Sequence, residues 1–145
     1  MSDVIIVSAC LLGLPTRYDG CQCANDEVLS AIGSRTVVPV CPEQLGGLAT
    51  PRPAHFLDEG TGEEVLAGRS RVVNDDGEDV TEEFLRGSRA VLRIAELAGA
   101  REAWLKERSP SCGVQVTSHG EEKVPGPGVA TALLRSRGIR VRGFD

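Results

Sequence analysis

The chain has 145 residues, a length typical of one compact domain. Its formal net charge is −5 at pH 7, so the chain as a whole has no basic field that would hold a nucleic-acid backbone. It contains no apolar run near the roughly 20 residues of a membrane-spanning helix and lacks the basic start of a signal peptide. We therefore expect a single cytoplasmic domain over residues 1–145, with neither nucleic acid nor a membrane as a partner.

The first third of the chain predicts two strands and two short helices. Val4–Val7 is β-branched without alternation, which is typical of a strand buried on both faces in a parallel sheet. Asn25 can cap a helix that runs to about Ile32. Thr36–Val40 predicts a second strand, and its Pro39 places that strand at a sheet edge or Pro39 near its end, since proline cannot donate to a ladder. One helical turn is predicted over residues 41–47.

The middle of the chain predicts a surface excursion followed by a long helix. Residues from about 56 to 80 are polar and glycine-rich, and within them Glu64–Leu66 and Arg71–Val73 are predicted as short strands. Apolar residues then recur at helical spacing from about Asp79 to Gly99.

The last third repeats the order of strand, loop, helix and strand. Ala103–Lys106 predicts a third strand, and a polar loop follows Gly113. Val129–Arg137 predicts a helix and Ile139–Val141 a final strand. Strands that alternate with helices indicate an α/β fold with a mostly parallel sheet flanked by helices.

The five cysteines are the most informative residues of this composition. An odd number of thiols in a reducing compartment indicates metal ligands or reactive groups rather than disulfides. Cys10 and Cys41 follow the first two predicted strands, and Cys112 lies in the loop after the third. Because the carboxyl ends of parallel strands gather at one edge, we expect these three thiols to meet. Cys21 and Cys23 form a separate C-x-C pair, which could be a redox dithiol, a metal clamp or a pair without function.

Simpler interpretations of the same cysteines remain open. Cys10 could be a small buried residue and Cys112 could merely fill a turn. A zinc ribbon is disfavoured because the sequence has no C-x₂-C pair. His55 and His119 lie in predicted loops and are expected at the surface.

Three thiolates suit a soft metal or an iron–sulfur cluster. Three cysteines on a four-iron cluster leave one iron without a protein ligand, and that iron can act as a Lewis acid or take up a substrate atom. Glu43 lies two residues after Cys41 and could move protons, while Ser109 lies three residues before Cys112 and could orient substrate or water. The structural alternatives are a helix-dipole role for Glu43 and a turn hydroxyl for Ser109.

Long stretches of the chain resemble the thiouracil desulfidase family. The segments that carry this likeness are Val7–Gly13, Arg17–Gly20, Val40–Leu48, Thr50–Pro53 and Lys106–Gly113. Shorter matches around residues 73–81 and from Gly128 onward extend it over nearly the whole chain.

The resemblance implies a Rossmann-like α/β domain that holds a [4Fe-4S] cluster on Cys10, Cys41 and Cys112 with one open iron. It also implies removal of sulfur from a thiolated nucleobase, by default 4-thiouracil to uracil and hydrogen sulfide, without net redox change. The family's acid–base glutamate matches Glu43, and its catalytic serine matches Ser109. Ser111 receives no role from the match.

The chain departs from the family pattern in the position of its additional cysteines, and one alternative function stays open. Many relatives carry a cysteine where this chain has Thr16, whereas Cys21 and Cys23 here lie just after the Arg17–Gly20 motif. The alternative function is a non-catalytic metal or redox sensor that uses the same cysteines.

Overall fold

A four-stranded parallel sheet forms the centre of the protein. The computed structural model describes residues 3–22, 24–120 and 122–145. In chain order the strands are β1 (Val4–Ser8), β2 (Thr36–Val40), β3 (His55–Leu57), β4 (Val72–Asn74), β5 (Glu102–Lys106), β6 (Val116–His119), β7 (Glu122–Pro125) and β8 (Arg140–Phe144). The α-helices are α1 (Asp26–Ile32), α2 (Pro42–Leu45), α3 (Gly62–Leu66), α4 (Thr81–Ala98) and α5 (Val129–Ser136).

The central sheet has the order β2-β1-β5-β8, and each neighbouring pair is parallel. The predicted α/β class with a mostly parallel sheet is therefore confirmed. Strand β2 lies at the edge, where Pro39 does not have to donate to a second neighbour. Two antiparallel pairs, β3 with β4 and β6 with β7, lie outside this sheet.

Successive residues of β1 bury their side chains on opposite faces of the sheet. Ile6 packs in a cluster with Val91 of α4 and Leu134 of α5. Ile5 belongs to a cluster on the other face, which includes Val28 of α1. Both faces of the central strand are therefore covered, as the unbroken apolar run of residues 4–7 predicts.

Local capping explains where two helices begin and end. The Asn25 side chain accepts a hydrogen bond from the Val28 N–H at 2.9 Å, which confirms the predicted start of α1. Asp79 accepts one from the Thr81 N–H at the start of α4. Gly99 ends α4 in the left-handed conformation, with φ of 70°, and satisfies carbonyls of the last turn.

Two local predictions for the excursion and the late loop are wrong. Glu64–Leu66 is part of helix α3 rather than a strand, because Thr61 and Glu64 form a reciprocal capping box. The Glu64 carboxylate accepts a hydrogen bond from the Thr61 N–H, and the Thr61 hydroxyl caps the first turn of the helix. The loop after Gly113 contains the antiparallel pair β6–β7, two strands that the polar composition of this segment does not predict.

Helix α2 packs against α4 at backbone distance. A Cβ added at Gly46 would overlap the Glu83 carbonyl oxygen, and one added at Gly87 would overlap the Pro42 carbonyl oxygen. Both positions therefore require glycine because of close approach. This contact holds the short helix that follows Cys41 against the longest helix of the fold. Within the described residues, no helix is both long and apolar enough to cross a membrane.

Candidate active site

A cleft of about 450 Å³ lies at the carboxyl edge of the central sheet. Its walls come from the segments that follow β1, β2 and β5, which are the segments that the parallel arrangement brings together. All five residues singled out from the sequence line it: Cys10, Cys41, Glu43, Ser109 and Cys112.

Each of the three cleft cysteines is placed by the end of a different strand. Cys10 lies in a short 3-10 turn that directly follows β1, and Cys41 is the N-cap residue of α2 directly after β2. Cys112 lies in the loop after β5 and is 5% exposed. All three are free thiols. The simpler interpretations, a core residue for Cys10 and a turn residue for Cys112, do not explain why both line one cleft with Cys41.

The remaining pair of cysteines behaves differently. Cys21 is disulfide-bonded in the structure, so the expectation that the cysteines are all reduced is wrong for this residue. Cys23 lies outside the described residues.

Burial raises the pKa of all three cleft thiols. It is the largest cause for Cys10, whose pKa rises to about 11, and for Cys112, whose pKa rises to about 12. Charge on Cys41 contributes to both increases, which places the three sulfurs within electrostatic reach of one another. The pKa of Cys41 is raised as well, again mainly by burial. A cationic centre would have to offset both the cost of burying the charges and their mutual repulsion before all three could be thiolates.

Among the described residues, no group of three or more cysteine, histidine or acidic side chains lies close enough together to hold a single metal ion. A cluster differs from a single ion, because cysteines that bind separate irons must stand farther apart than ligands that converge on one atom. Three free thiols around one cleft form a donor set that suits a soft metal or an iron–sulfur group.

Glu43 lies in the first turn of α2 and is held by three side chains. Arg52 Nε donates to its Oε1 at 3.0 Å, and His55 Nδ1 lies 3.2 Å from the same oxygen. Ser111 Oγ donates to Oε2 at 3.1 Å. The Glu43 side chain remains 13% exposed toward the cleft that it lines. A helix-dipole role alone does not account for these three side-chain contacts of Glu43.

The pKa of Glu43 lies below its usual value. Burial alone would raise it, but the hydrogen bond from His55 and the charge of Arg52 favour the carboxylate and outweigh burial. Glu43 is therefore ionised at neutral pH and can accept a proton. The His55 Nδ1 must be the donor in this pair, since an ionised carboxylate has no proton to give.

Arg52 connects three segments around Cys41. Its guanidinium donates to the carbonyl oxygens of Thr16 at 2.9 Å and Ala49 at 3.1 Å, as well as to Glu43. One of its nitrogens lies 3.9 Å from Cys41 Sγ. With only 4% of its side chain exposed, Arg52 is a buried cation beside both a carboxylate and a candidate ligand sulfur.

Ser109 organises the loop that carries Cys112. Its Oγ accepts hydrogen bonds from the backbone N–H groups of Ser111 at 3.1 Å and Cys112 at 3.0 Å, so it does serve as a turn hydroxyl. Its Oγ also lies 3.0 Å from Ser111 Oγ. Ser109 is thus linked to Glu43 through one intervening hydroxyl.

Sequence reasoning missed Arg52, His55 and Ser111 as parts of this site. The prediction of His55 as a surface loop residue is wrong: it lies in β3, is 7% exposed and packs edge-on against Phe84. The prediction for His119 is wrong as well, because it lies in β6, half-buried, with Nε2 at 2.6 Å from the Gly60 carbonyl oxygen. Arg52 lies in a matched motif, which was the one available signal for it.

The parallel sheet carries three free thiols at its carboxyl edge, beside an ionised and partly exposed carboxylate. This fold and this site define an enzyme with a cysteine-lined active-site cleft. More particularly, the chain belongs to the 2-thiouracil desulfurase family, whose model matches residues 5–143. The resemblance noted from the motifs is confirmed.

Two similar proteins support this assignment. "Uncharacterized protein YbbK" of Bacillus subtilis (strain 168) is 40% identical over 141 residues, which cover 95% of this chain and 93% of that protein. A solved structure of "[4Fe-4S]-dependent thiouracil desulfidase TudS (DUF523Vcz)" is 43% identical and has a TM-score of 0.79. The match covers 96% of this chain and 89% of the solved one.

Proposed function

We propose that this protein removes sulfur from a thiolated pyrimidine base, with 4-thiouracil as the default substrate and uracil and hydrogen sulfide as products. The cofactor is a [4Fe-4S] cluster bound by Cys10, Cys41 and Cys112. The observation that carries the proposal is the presence of these three free thiols on one cleft with Glu43 and Ser109. The similarity to a [4Fe-4S]-dependent thiouracil desulfidase over 96% of the chain supports the choice of cofactor and substrate.

The ligand set leaves room for substrate. Three cysteines are found among the described residues that line the cleft, one fewer than the irons of the cluster. When bound, the cluster supplies an iron without a protein ligand, a Lewis-acidic position for the substrate sulfur.

Glu43 handles the proton of the attacking water. Its Oε1 is occupied by Arg52 and His55, while Oε2 has a single donor, Ser111, among the described residues. Oε2 therefore keeps a lone pair that can accept a proton from water. The same carboxyl can pass the two protons of the water to the sulfur one after the other, the second as the carbon–sulfur bond breaks, so that water and the thiocarbonyl become a carbonyl and hydrogen sulfide with no net transfer of electrons.

Ser109 orients the reacting groups. Its position is set by two backbone N–H groups of the loop that carries Cys112, so the hydroxyl is held in one place without reorganisation. Because its hydroxyl is already engaged within the loop, this fixed side chain can hold the substrate ring against the carboxylate by contact. Both residues act from within the cleft that the thiols line.

The first experiment tests the ligand set. Protein reconstituted anaerobically with iron and sulfide is analysed for iron and acid-labile sulfide in the variants Cys10→Ser, Cys41→Ser and Cys112→Ser. We expect each to lose the cluster, whereas Cys21→Ser, a change outside the cleft, retains it. Full iron and sulfide content in all three cleft variants would refute the assignment. Zinc without sulfide in freshly purified wild-type protein would favour a sensor instead.

The second experiment tests the chemistry. The wild-type holoenzyme should release sulfide from 4-thiouracil, and a small panel of thiolated pyrimidines then defines the preferred substrate. Glu43→Gln keeps the shape of the side chain but removes its ability to accept a proton. We expect an intact cluster and at least about a 100-fold loss of turnover, in line with the usual contribution of general acid–base catalysis. Unchanged turnover in this variant would remove Glu43 from the mechanism.

A further inference from the structure

Ser111 is fully buried and lies between three atoms that matter for the site. Its Oγ is 3.1 Å from Glu43 Oε2, 3.0 Å from Ser109 Oγ and 3.6 Å from Cys112 Sγ. Its exposure is 0%. No water can therefore replace its hydroxyl as a partner for these groups without rearrangement of the loop.

The single proton of the Ser111 hydroxyl has one best acceptor. Ser111 Oγ donates to Glu43 Oε2 at 3.1 Å and lies 3.6 Å from Cys112 Sγ, and a carboxyl oxygen is a stronger acceptor than sulfur. The Cys112 sulfur has another donor, since the Ser8 side chain also hydrogen-bonds to it. The Ser111 proton is thus directed to Glu43.

Counting lone pairs settles the direction of the next hydrogen bond. Ser109 Oγ already accepts from two backbone N–H groups, which occupy both of its lone pairs. Its own proton must therefore be donated, and Ser111 Oγ lies at the right distance to accept it. The hydroxyls then form a directed chain from Ser109 through Ser111 to Glu43.

We propose that Ser111 is a positioning residue that couples the Glu43 carboxylate to the Ser109 hydroxyl. The inference rests on the proposed function and adds to it a third residue, which acts through the other two. The hydrogen bond that Ser111 donates to Glu43 polarises the Ser111 hydroxyl and so makes its oxygen a better acceptor for Ser109. The chain also fixes the distance between α2 and the loop that carries Cys112, two segments 68 residues apart.

The test compares Ser111→Ala with a matched control, Thr131→Val. Thr131 is fully buried, and its hydroxyl donates to the Cys112 carbonyl oxygen, so the control removes a hydroxyl that supports the same loop without a role in the chain. We expect Ser111→Ala to lower kcat about 10- to 100-fold, as for loss of a hydrogen bond to a charged group, with KM little changed. Thr131→Val should lower the melting temperature but keep kcat per bound cluster.

A double-mutant cycle separates coupling from a general structural effect. In the Glu43→Gln background, Ser111→Ala should cost little further activity, because the charged end of the chain is already gone. Equal fold-losses in both backgrounds would overturn the proposal. So would loss of iron and sulfide in Ser111→Ala, because that result would assign Ser111 to the support of Cys112.

A crystal structure of Ser111→Ala provides a readout that does not depend on turnover. The separation between Glu43 Oε2 and Ser109 Oγ should increase, and an unchanged separation would count against the proposal. If the wild-type holoenzyme released no sulfide from any thiolated pyrimidine, the proposed function would fail, while this structural result would still decide whether Ser111 holds the two residues in place.

Discussion

Replacing Gly87 by alanine perturbs the backbone contact that positions α2. The new Cβ would overlap the carbonyl oxygen of Pro42, the residue between Cys41 and Glu43. Only backbone can yield at this point, so no side-chain rotation relieves the overlap. Helix α2 must shift by roughly 1.5 Å to restore ordinary van der Waals separation.

Two opposing effects determine the size of the change. Alanine is favoured over glycine inside a helix by about 1 kcal/mol. Overpacking costs about 1–3 kcal/mol, and an overlap between backbone atoms belongs at the upper end of that range. We therefore expect a net loss of about 2 kcal/mol in the free energy of unfolding, which for a chain of this size lowers the melting temperature by about 4–8 °C. Because a misplacement of about 1 Å can already cost on the order of 100-fold, we expect at least that loss of turnover when α2 carries Glu43 with it.

The assay combines thermal denaturation followed by circular dichroism with sulfide release per bound cluster. Ser88→Ala is the control, since Ser88 is the neighbouring buried residue of α4 and its hydroxyl has no hydrogen-bond partner in the described structure. This control should gain about 1 kcal/mol of stability, because it removes an unsatisfied hydroxyl and improves helix propensity. If Gly87→Ala melts above wild type with full turnover, helix propensity dominates and the argument from close packing is wrong.

Two further substitutions test the supports of the cleft. The Glu107 carboxylate accepts hydrogen bonds from the backbone N–H groups of Val114, Gln115 and Val116. In urea denaturation, Glu107→Gln should lower the free energy of unfolding by about 1–3 kcal/mol. A midpoint equal to that of the wild type would show that the charge of Glu107 is unimportant. Arg52→Lys keeps the positive charge but loses the planar fork that reaches Thr16, Ala49 and Glu43 together. We expect it to destabilise the protein by about 2 kcal/mol and to lower turnover, and full activity would mean that charge alone is sufficient.

Much of the central sheet could be predicted from local pattern. Strand β1 has an unbroken apolar run because both of its faces are covered, and Pro39 is compatible with the edge position of β2. The predictions fail where local composition is ambiguous. Helix α3 depends on the reciprocal bonds between Thr61 and Glu64, and the pair β6–β7 is polar and lies outside the central sheet.

The residues of the candidate site could likewise be predicted only in part from the sequence. Cys10, Cys41 and Cys112 could be grouped from the sequence because each follows a strand, and parallel strands end at one edge. The partners of Glu43 could not be grouped in this way. Arg52, His55 and Ser111 lie 9, 12 and 68 positions away from it, and no periodicity connects those separations.

The amino-acid sequence by itself determined the strands of the central sheet, the strand ends that carry thiols and the family that the motifs resemble. These properties follow from nearest-neighbour chemistry and from the geometry of parallel sheets. Tertiary structure alone decided that the pKa of Glu43 lies below its usual value, because burial by itself would raise this pKa and the packed His55 and Arg52 lower it. Tertiary structure also placed the Ser111 hydroxyl between Glu43 and Ser109, since that contact requires α2 and the loop after β5 to be folded against each other.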